Sequence, residues 1–319
     1  MKKSLLLAGV ALLLAAAPAS ASVPTTEINP GDLPRGEDIA IPHLEGRVIV
    51  DGDTRIRVSA PRVALLGKSG TSYVVHTTGA DGSTNGRTYR VHPDGTKTLL
   101  GRAQDASELL LSDEGDHLVR THMLSHERTA LRVTDVDTGD VVATRTFRGW
   151  IFSLDAANGR VLLSSWSPAR TTWWNFVSDK TRRVVGRTGG VADIAADRLG
   201  SYTGDPYDGG CYVISSLKHP TDVLWRTCGE RAIAFSPDGR RVATVGIVDD
   251  GIGPAQVTVR RVARGAALAR YATKWFGAVR WESATALLLD ANGARKAATV
   301  RCVLADCERA SDLTPVPEY

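Results

Sequence analysis

From about Arg62 onward the chain alternates short apolar runs with turn residues, and the alternation recurs at roughly the 40–45-residue period of a repeat fold. The turn after the first apolar run of each unit falls at Gly70, Gly115, Gly159, Arg198, Gly239 and Ala284, with spacings of 45, 44, 39, 41 and 45. One well-formed unit reads Leu109–Gly115, then His117–Thr121, Ala130–Gly139 and Val141–Arg145. Another reads Ile233–Gly239, Arg241–Val245, Gln256–Val262 and Ala267–Thr273. Each is four short β-runs separated by Asp-Gly, Asn-Gly or Thr-Gly turns, where a positive φ costs little at Gly or Asn. Four antiparallel strands at this period predict an all-β fold, a β-propeller whose blades pack face to face around a channel. A β-sandwich does not repeat its sequence at fixed spacing, and no 3.6-residue apolar period supports a helical solenoid. Six blades are expected. The upstream hairpin Gly46–Val58, turning at Asp51-Gly52, either adds an outer strand that closes the last blade or forms half of a seventh.

Phe235-Ser-Pro-Asp-Gly-Arg-Arg-Val-Ala243 resembles the turn and following strand of the WD40-like, TolB-type propeller repeats. Val133-Thr-Asp-Val-Asp-Thr-Gly139 is similar to the third strand and turn of the same repeats. Arg198 and Ala284 replace the turn glycine, and the Gly-His and Trp-Asp pairs of true WD40 blades are absent. The resemblance implies a fold that hosts many functions.

The first segment has a different pattern. Lys2 and Lys3 precede an apolar run, Leu5–Ala17, and then Ala19-Ser-Ala21, the layout of a secretory signal peptide over residues 1–21. The run is too short to span a bilayer, which takes about 20 apolar residues, so no membrane span is expected after cleavage. Residues 22–39, with Pro24, Pro30, Gly31, Pro34 and Gly36, read as a flexible leader, residues 40–313 as a single propeller domain, and 314–319 as a tail. The 319 residues are 43% hydrophobic and 23% charged, which excludes a disordered chain and a polytopic membrane protein. Net charge is +4, and loss of two lysines with the signal leaves +2, so no nucleic-acid partner is expected. The expected product is a secreted or cell-envelope monomer.

Export places the four cysteines in an oxidising compartment, where disulfides form. Cys211 opens one strand run and Cys228 closes the next, with Lys218–Thr221 as the turn. Cys302 and Cys307 flank Val303–Asp306. Folding each hairpin symmetrically sets Cys211 opposite Cys228 and Cys302 opposite Cys307, tying the third and fourth strands of two blades. Zinc at the Cys302/Cys307 pair would want a nearby His, and there is none in sequence.

No nucleophile elbow, zinc-protease motif or phosphate loop is present. His122 and His126 have i, i+4 spacing, but on a segment that leaves a strand for a loop, so they are expected as solvated histidines. No metal or cofactor is expected. Asp205, Tyr207 and Asp208, and Asp249 and Asp250, occupy second-to-third-strand loops of consecutive blades, which should share a rim and together attract a cationic group. Solvated turns are the plainer reading of each acidic pair. Trp150 and Trp275 occupy equivalent connections between blades near the same rim, where an aromatic can stack on a sugar or clamp a peptide, although core packing is the plainer reading of both. Trp166, Trp173, Trp174 and Trp225 are expected to pack between blades. The expected function is a non-catalytic binding or scaffold module for a protein, peptide or glycan partner. The alternative is an enzyme with its site in the channel, a lyase or hydrolase acting on glycans or lactones, built from side chains that converge from different blades.

Overall fold

A computed structural model describes residues 23–317. The expected signal peptide, residues 1–21, lies outside the described residues.

The chain folds into seven antiparallel sheets, each a meander of consecutive strands. Blade 1 has three strands, His43–Glu45, Val48–Asp51 and Thr54–Arg57. Blades 2 to 7 have four each and begin at Arg62, Leu109, Ile151, Thr188, Glu230 and Trp275. The first strands of consecutive blades lie against one another from blade 1 to blade 7, so they form the inner wall of the ring. The six repeat units of the sequence are blades 2 to 7. The expectation of six blades is corrected to seven, because the Gly46–Val58 hairpin does not join blade 7. It supplies the second and third strands of blade 1, which ends after its third strand and so never shows the full period.

The turns follow the sequence signal closely. Gly115 has φ +74, and a Cβ there would meet the Lys68 carbonyl of the preceding blade at 2.2 Å, so the turns of adjacent blades nest against backbone. In blade 5, where the glycine is missing, Asp197 takes the left-handed conformation instead, with φ +57. Inner strands such as Ser72–Thr78 are buried on both faces between neighbouring blades, and outer strands at fewer residues. Val119, Leu131 and Val133 of blade 3, for example, meet Ile151, Val161, Leu163 and Trp174 of blade 4.

Residues 22–39, expected as a flexible leader, are corrected to a structured strap from Val23 onward. Thr25–Glu27 pairs in parallel with the outer strand of blade 6, Ala267–Ala272. Pro34 and Gly36 then exchange backbone hydrogen bonds with Arg309 on the outer strand of blade 7. The carbonyls of Glu37 and Asp38 accept from Arg301, and the Ala40 amide donates to Glu282. Edge pairing uses only backbone groups, so a segment without apolar periodicity can still be ordered. At the start of the tail, Thr314–Pro315 pairs with Lys296–Ala297.

Both disulfides form as the strand register implies. Cys211–Cys228 and Cys302–Cys307 have Cα separations of 4.1 and 4.2 Å.

Candidate functional site

In a four-stranded meander the second-to-third-strand loops and the connections between blades emerge on one side, and the remaining turns on the other. The first side, the upper rim, carries most of the exposed aromatic surface. Trp150 follows the connection from blade 3 and is 60% exposed. Trp166 ends the second strand of blade 4 and is 39% exposed. The hairpin register pairs Ile151 with Ser165, so the two tryptophans sit across from each other one step further out. The Trp166 ring lies 4.9 Å from that of Tyr202, which meets Tyr212 edge-on at 4.7 Å. A file of rings thus runs from the rim into blade 5.

Beside the tryptophans lies an open cleft of about 700 Å3, lined by His126, Glu127, Arg128, Arg148, Trp150 and Trp166 among others. Arg128 and Arg148 are directly opposed cross-strand partners at the end of blade 3. Arg170 of blade 4 donates to the Arg148 carbonyl at 3.3 Å, which ties the two blades beside the cleft.

The acidic candidates stand on blades 5 and 6 of the same rim. The Asp205 carboxylate accepts from the Tyr207 amide at 3.0 Å and so caps the single turn Pro206–Asp208. This turn presents Tyr207, 70% exposed, whose hydroxyl donates to Asp250 of the neighbouring blade at 3.2 Å. That bond to a carboxylate raises the Tyr207 hydroxyl pKa. Asp249 turns inward and accepts from the Gly246 amide at 2.8 Å, which leaves it a loop-fixing residue. Asp208 is exposed. The structure therefore joins Tyr207 to Asp250 and sets Trp150 on the same rim, at the start of blade 4.

Trp275 takes the packed place of its two readings. It is 5% exposed, beneath the loop in which Gly253, at φ +141, presses so close that a Cβ would meet the Phe276 carbonyl at 1.9 Å. The Phe276 amide donates to the Pro254 carbonyl there, at 2.8 Å. Trp150 has no such loop over it, so equivalent sequence positions have opposite exposure. Trp166 reverses the packing expected of it, for it lines the cleft whereas Trp173 and Trp174 are buried. The register around the Asn158-Gly159 turn was the available signal, because it sets position 166 across from 150. His122 remains within a strand, with Nδ1 3.3 Å from Glu108, and His126 joins the cleft lining.

The lower rim holds a feature that motif searching missed. Asp113 lies two residues past the first strand of blade 3, Asp155 two residues inside the end of that of blade 4, and Asp193 ends that of blade 5. Asp155 is 8% exposed. Its Oδ2 accepts from the Ile194 amide of blade 5 at 2.7 Å and its Oδ1 from the Ala156 amide at 2.8 Å. Burial, the neighbouring Asp113 and Asp193 carboxylates push its pKa up to about 7, against the two amides. Burial likewise raises Asp113, helped by Asp193 and Glu114, and Asp113 is hydrogen-bonded to Asp155. Each carboxylate thus opposes ionisation of the other. These aspartates stand 2, 4 and 5 residues before the turn positions Gly115, Gly159 and Arg198, so no shared place in the repeat marked them in the sequence. Among the described residues no group of three or more His, Cys, Asp or Glu is arranged to hold a metal ion, and no helix is long and apolar enough to cross a membrane.

The ring of seven blades around an inner wall of first strands defines a seven-bladed β-propeller. No protein-family model matches the chain, and no curated protein matches it in sequence. Among solved structures it is similar to a prolyl endopeptidase, with a TM-score of 0.57 and 12% identity over 80% of this chain. The chain spans only 43% of that endopeptidase's length. It is also similar to Hsv2 of Kluyveromyces marxianus, with a TM-score of 0.51 and 12% identity, covering 83% of this chain and 90% of the other. TolB from Acinetobacter baumannii is a further structural neighbour, with a TM-score of 0.45 and 11% identity over 73% of this chain and 64% of its own. At these identities the likeness is one of fold.

Proposed function

We propose that the protein is an extracytoplasmic, non-catalytic propeller that holds a protein, peptide or glycan partner on its upper rim. The observation that carries this reading is the concentration of exposed rings, Trp150, Trp166 and Tyr207, on the rim of blades 4 and 5. Large aromatic surface is disfavoured in water and is enriched where partners dock. Two disulfides and the basic, apolar start of the chain support an address outside the cytoplasm. The test compares ligands retained from cell-envelope extracts and from peptide and glycan arrays by the wild type and by the Trp150→Ala/Trp166→Ala and Tyr207→Ala variants. Ligands retained equally by all three would refute a rim site. The mass of the exported protein checks the address, with Ser22 expected as its first residue.

A second reading, a channel-sited enzyme, is favoured by the Asp113–Asp155 pair, since a carboxyl held protonated beside a carboxylate can donate and accept a proton. Against it, both Asp155 oxygens already accept backbone amides. Turnover of a glycan or lactone that Asp155→Asn abolishes, in a folded protein, would promote this reading over the first.

A further inference from the structure

Two guanidinium groups in the rim cleft stand in an arrangement that folding alone disfavours. Arg128 and Arg148 are directly opposed on neighbouring strands, where like charges repel. Both are exposed, and neither has a carboxylate partner among the described residues, although other arginines at strand edges have one, such as Arg145 with Asp179 at 2.7 Å. Glu127 lines the same cleft but makes no ion pair with them. Arg170 lies outside the cleft and touches Arg148 only at its backbone carbonyl, so it neutralises neither charge. Against this pair stand the exposed Trp150 and Trp166 and a cleft of about 700 Å3, a volume within the usual range for a bound small molecule or oligomer segment.

We infer that this cleft binds an acidic glycan, with pyranose rings laid on Trp150 and Trp166 and sugar carboxylates held by Arg128 and Arg148. The inference rests on the rim reading above and deepens it by naming the ligand. The chemistry divides between the two halves of the cleft. The C–H face of a pyranose is apolar and covers an indole without needing a hydrogen bond from it. A carboxylate projecting from the ring edge then reaches the opposed guanidiniums and relieves their repulsion through charge-assisted bonds. An acidic peptide matches the charge as well. It would also need backbone partners, and the strand ends here already direct theirs inward, with the Gly149 amide bonded to the Glu127 carbonyl at 2.6 Å. A neutral glycan matches the rings and leaves the arginine pair uncompensated.

The experiment uses the exported protein and a matched pair of probes, a β-1,4-linked mannuronate oligosaccharide and a β-1,4-mannan oligosaccharide of the same length. They differ in the carboxylate at C6. Binding is followed by calorimetry and tryptophan fluorescence at low salt. The mannuronate is expected to bind and to change the fluorescence, with the mannan weaker by about tenfold or more, the worth of one charge-assisted hydrogen bond. Arg128→Gln and Arg148→Gln should each weaken mannuronate about tenfold on the same grounds and narrow its advantage over mannan. Added salt should weaken the wild type and spare the variants. Removing one member of a repelling pair should leave the melting temperature unchanged or raise it, which separates a ligand-holding role from a structural one. Absence of mannuronate binding overturns the proposal, and so do glutamine variants that bind mannuronate as the wild type does. Equal or tighter binding of an oligoglutamate peptide at the same arginines assigns the cleft to acidic peptides and overturns it too. Mannan binding that falls with Trp150→Ala and ignores both arginine variants refutes the acidic ligand while sustaining the rim. Mannuronate binding that survives Trp150→Ala/Trp166→Ala refutes the rim.

Discussion

Blades 3 and 4 meet differently from blades 7 and 1. The first contact has a large apolar centre, with Val119, Leu131 and Val133 facing Ile151, Val161, Leu163 and Trp174. At the second, a cleft of about 830 Å3 is lined by His43, Glu45 and Arg55 on blade 1 and by Asp290, Asn292 and Thr299 on blade 7. Its apolar part is small, with Ile39 and Ile41 of the strap set on Leu288 and Ala310. The apolar side chains of blade 1, Ile49, Ile56 and Val58, turn toward blade 2 instead. A three-stranded blade thus commits one face to the core and presents a polar one to the seam. Closure there depends on the strap, whose backbone bonds run across blades 6 and 7 before the chain enters blade 1.

The contrast is broken most directly by truncating side chains at each place. Trp174→Ala should cost about 3–5 kcal/mol, the range for a large buried aromatic. Ile39→Ala should cost about 2 kcal/mol, the lower end for an aliphatic, because the seam has room to relax around it. Urea denaturation measures both, and equal costs would remove the distinction between the two interfaces.

Polar closure gives the next effect. Arg301 holds Glu282 at 2.8 Å and Glu308 at 2.9 Å while binding the strap carbonyls of Glu37 and Asp38. Burial pushes the Glu282 carboxyl up, but its bonds to Arg301 and the Ala40 amide outweigh this and hold it below the ordinary value. Arg301→Met strands that carboxylate and should cost about 3 kcal/mol, the lower end for breaking a buried pair. Glu282→Gln added to Arg301→Met should restore part of the loss. Faster proteolysis within residues 23–40 of the single variant, at unchanged cleavage elsewhere, locates the damage at the seam.

The disulfides sharpen the comparison with smaller numbers. Loop-closure entropy for a separation of 17 residues predicts a loss of about 3 kcal/mol without Cys211–Cys228, and for 5 residues about 2 kcal/mol without Cys302–Cys307. Paired Cys→Ala variants and thermal melts check the order. If the seam is the weaker contact, loss of the bridge in blade 7 should also expose the strap to protease, which loss of the bridge in blade 5 should not.

The repeat made blades 2 to 7 readable, because tight turns constrain sequence. Even the irregular turn of blade 5 falls where expected, with Asp197 beside the predicted Arg198. Blade 1 and the strap were harder, since a short hairpin has no period and edge pairing is made by backbone groups common to every residue. Site residues were legible as far as loop position decides them. Tyr207 and Asp250 meet as adjacent loops on one rim should. Exposure was less legible. Trp150 and Trp275 share a place in the repeat, and only the path of the Gly251–Pro254 loop separates an open ring from a covered one. Arg128 and Arg148 are 20 residues apart, and their opposition follows from a register that a bulge shifts at Val133/Thr134.

The smallest effect per unit of change lies inside the better-packed region. Asp155 places a carboxyl in the apolar contact among blades 3, 4 and 5, and its folded pKa of about 7 stands above the ordinary 3.8. The folded state therefore holds the proton more tightly than the unfolded state does. The resulting stability is complete below about 4, is lost as pH rises toward 7 at no more than about 1.4 kcal/mol per unit, and changes no further above that. His76 acts in the opposite direction, since burial lowers its pKa and favours the neutral ring. The difference between wild type and Asp155→Asn cancels that contribution. Asparagine keeps one acceptor for the Ile194 or Ala156 amide, so the variant carries a constant penalty at every pH. Relative to the wild type it should gain stability steadily between pH 4 and 7 and level off above. A difference flat across that window would mean that Asp155 is ionised in the fold. The interface of blades 3 to 5 would then carry a buried charge of the kind the seam resolves with Arg301.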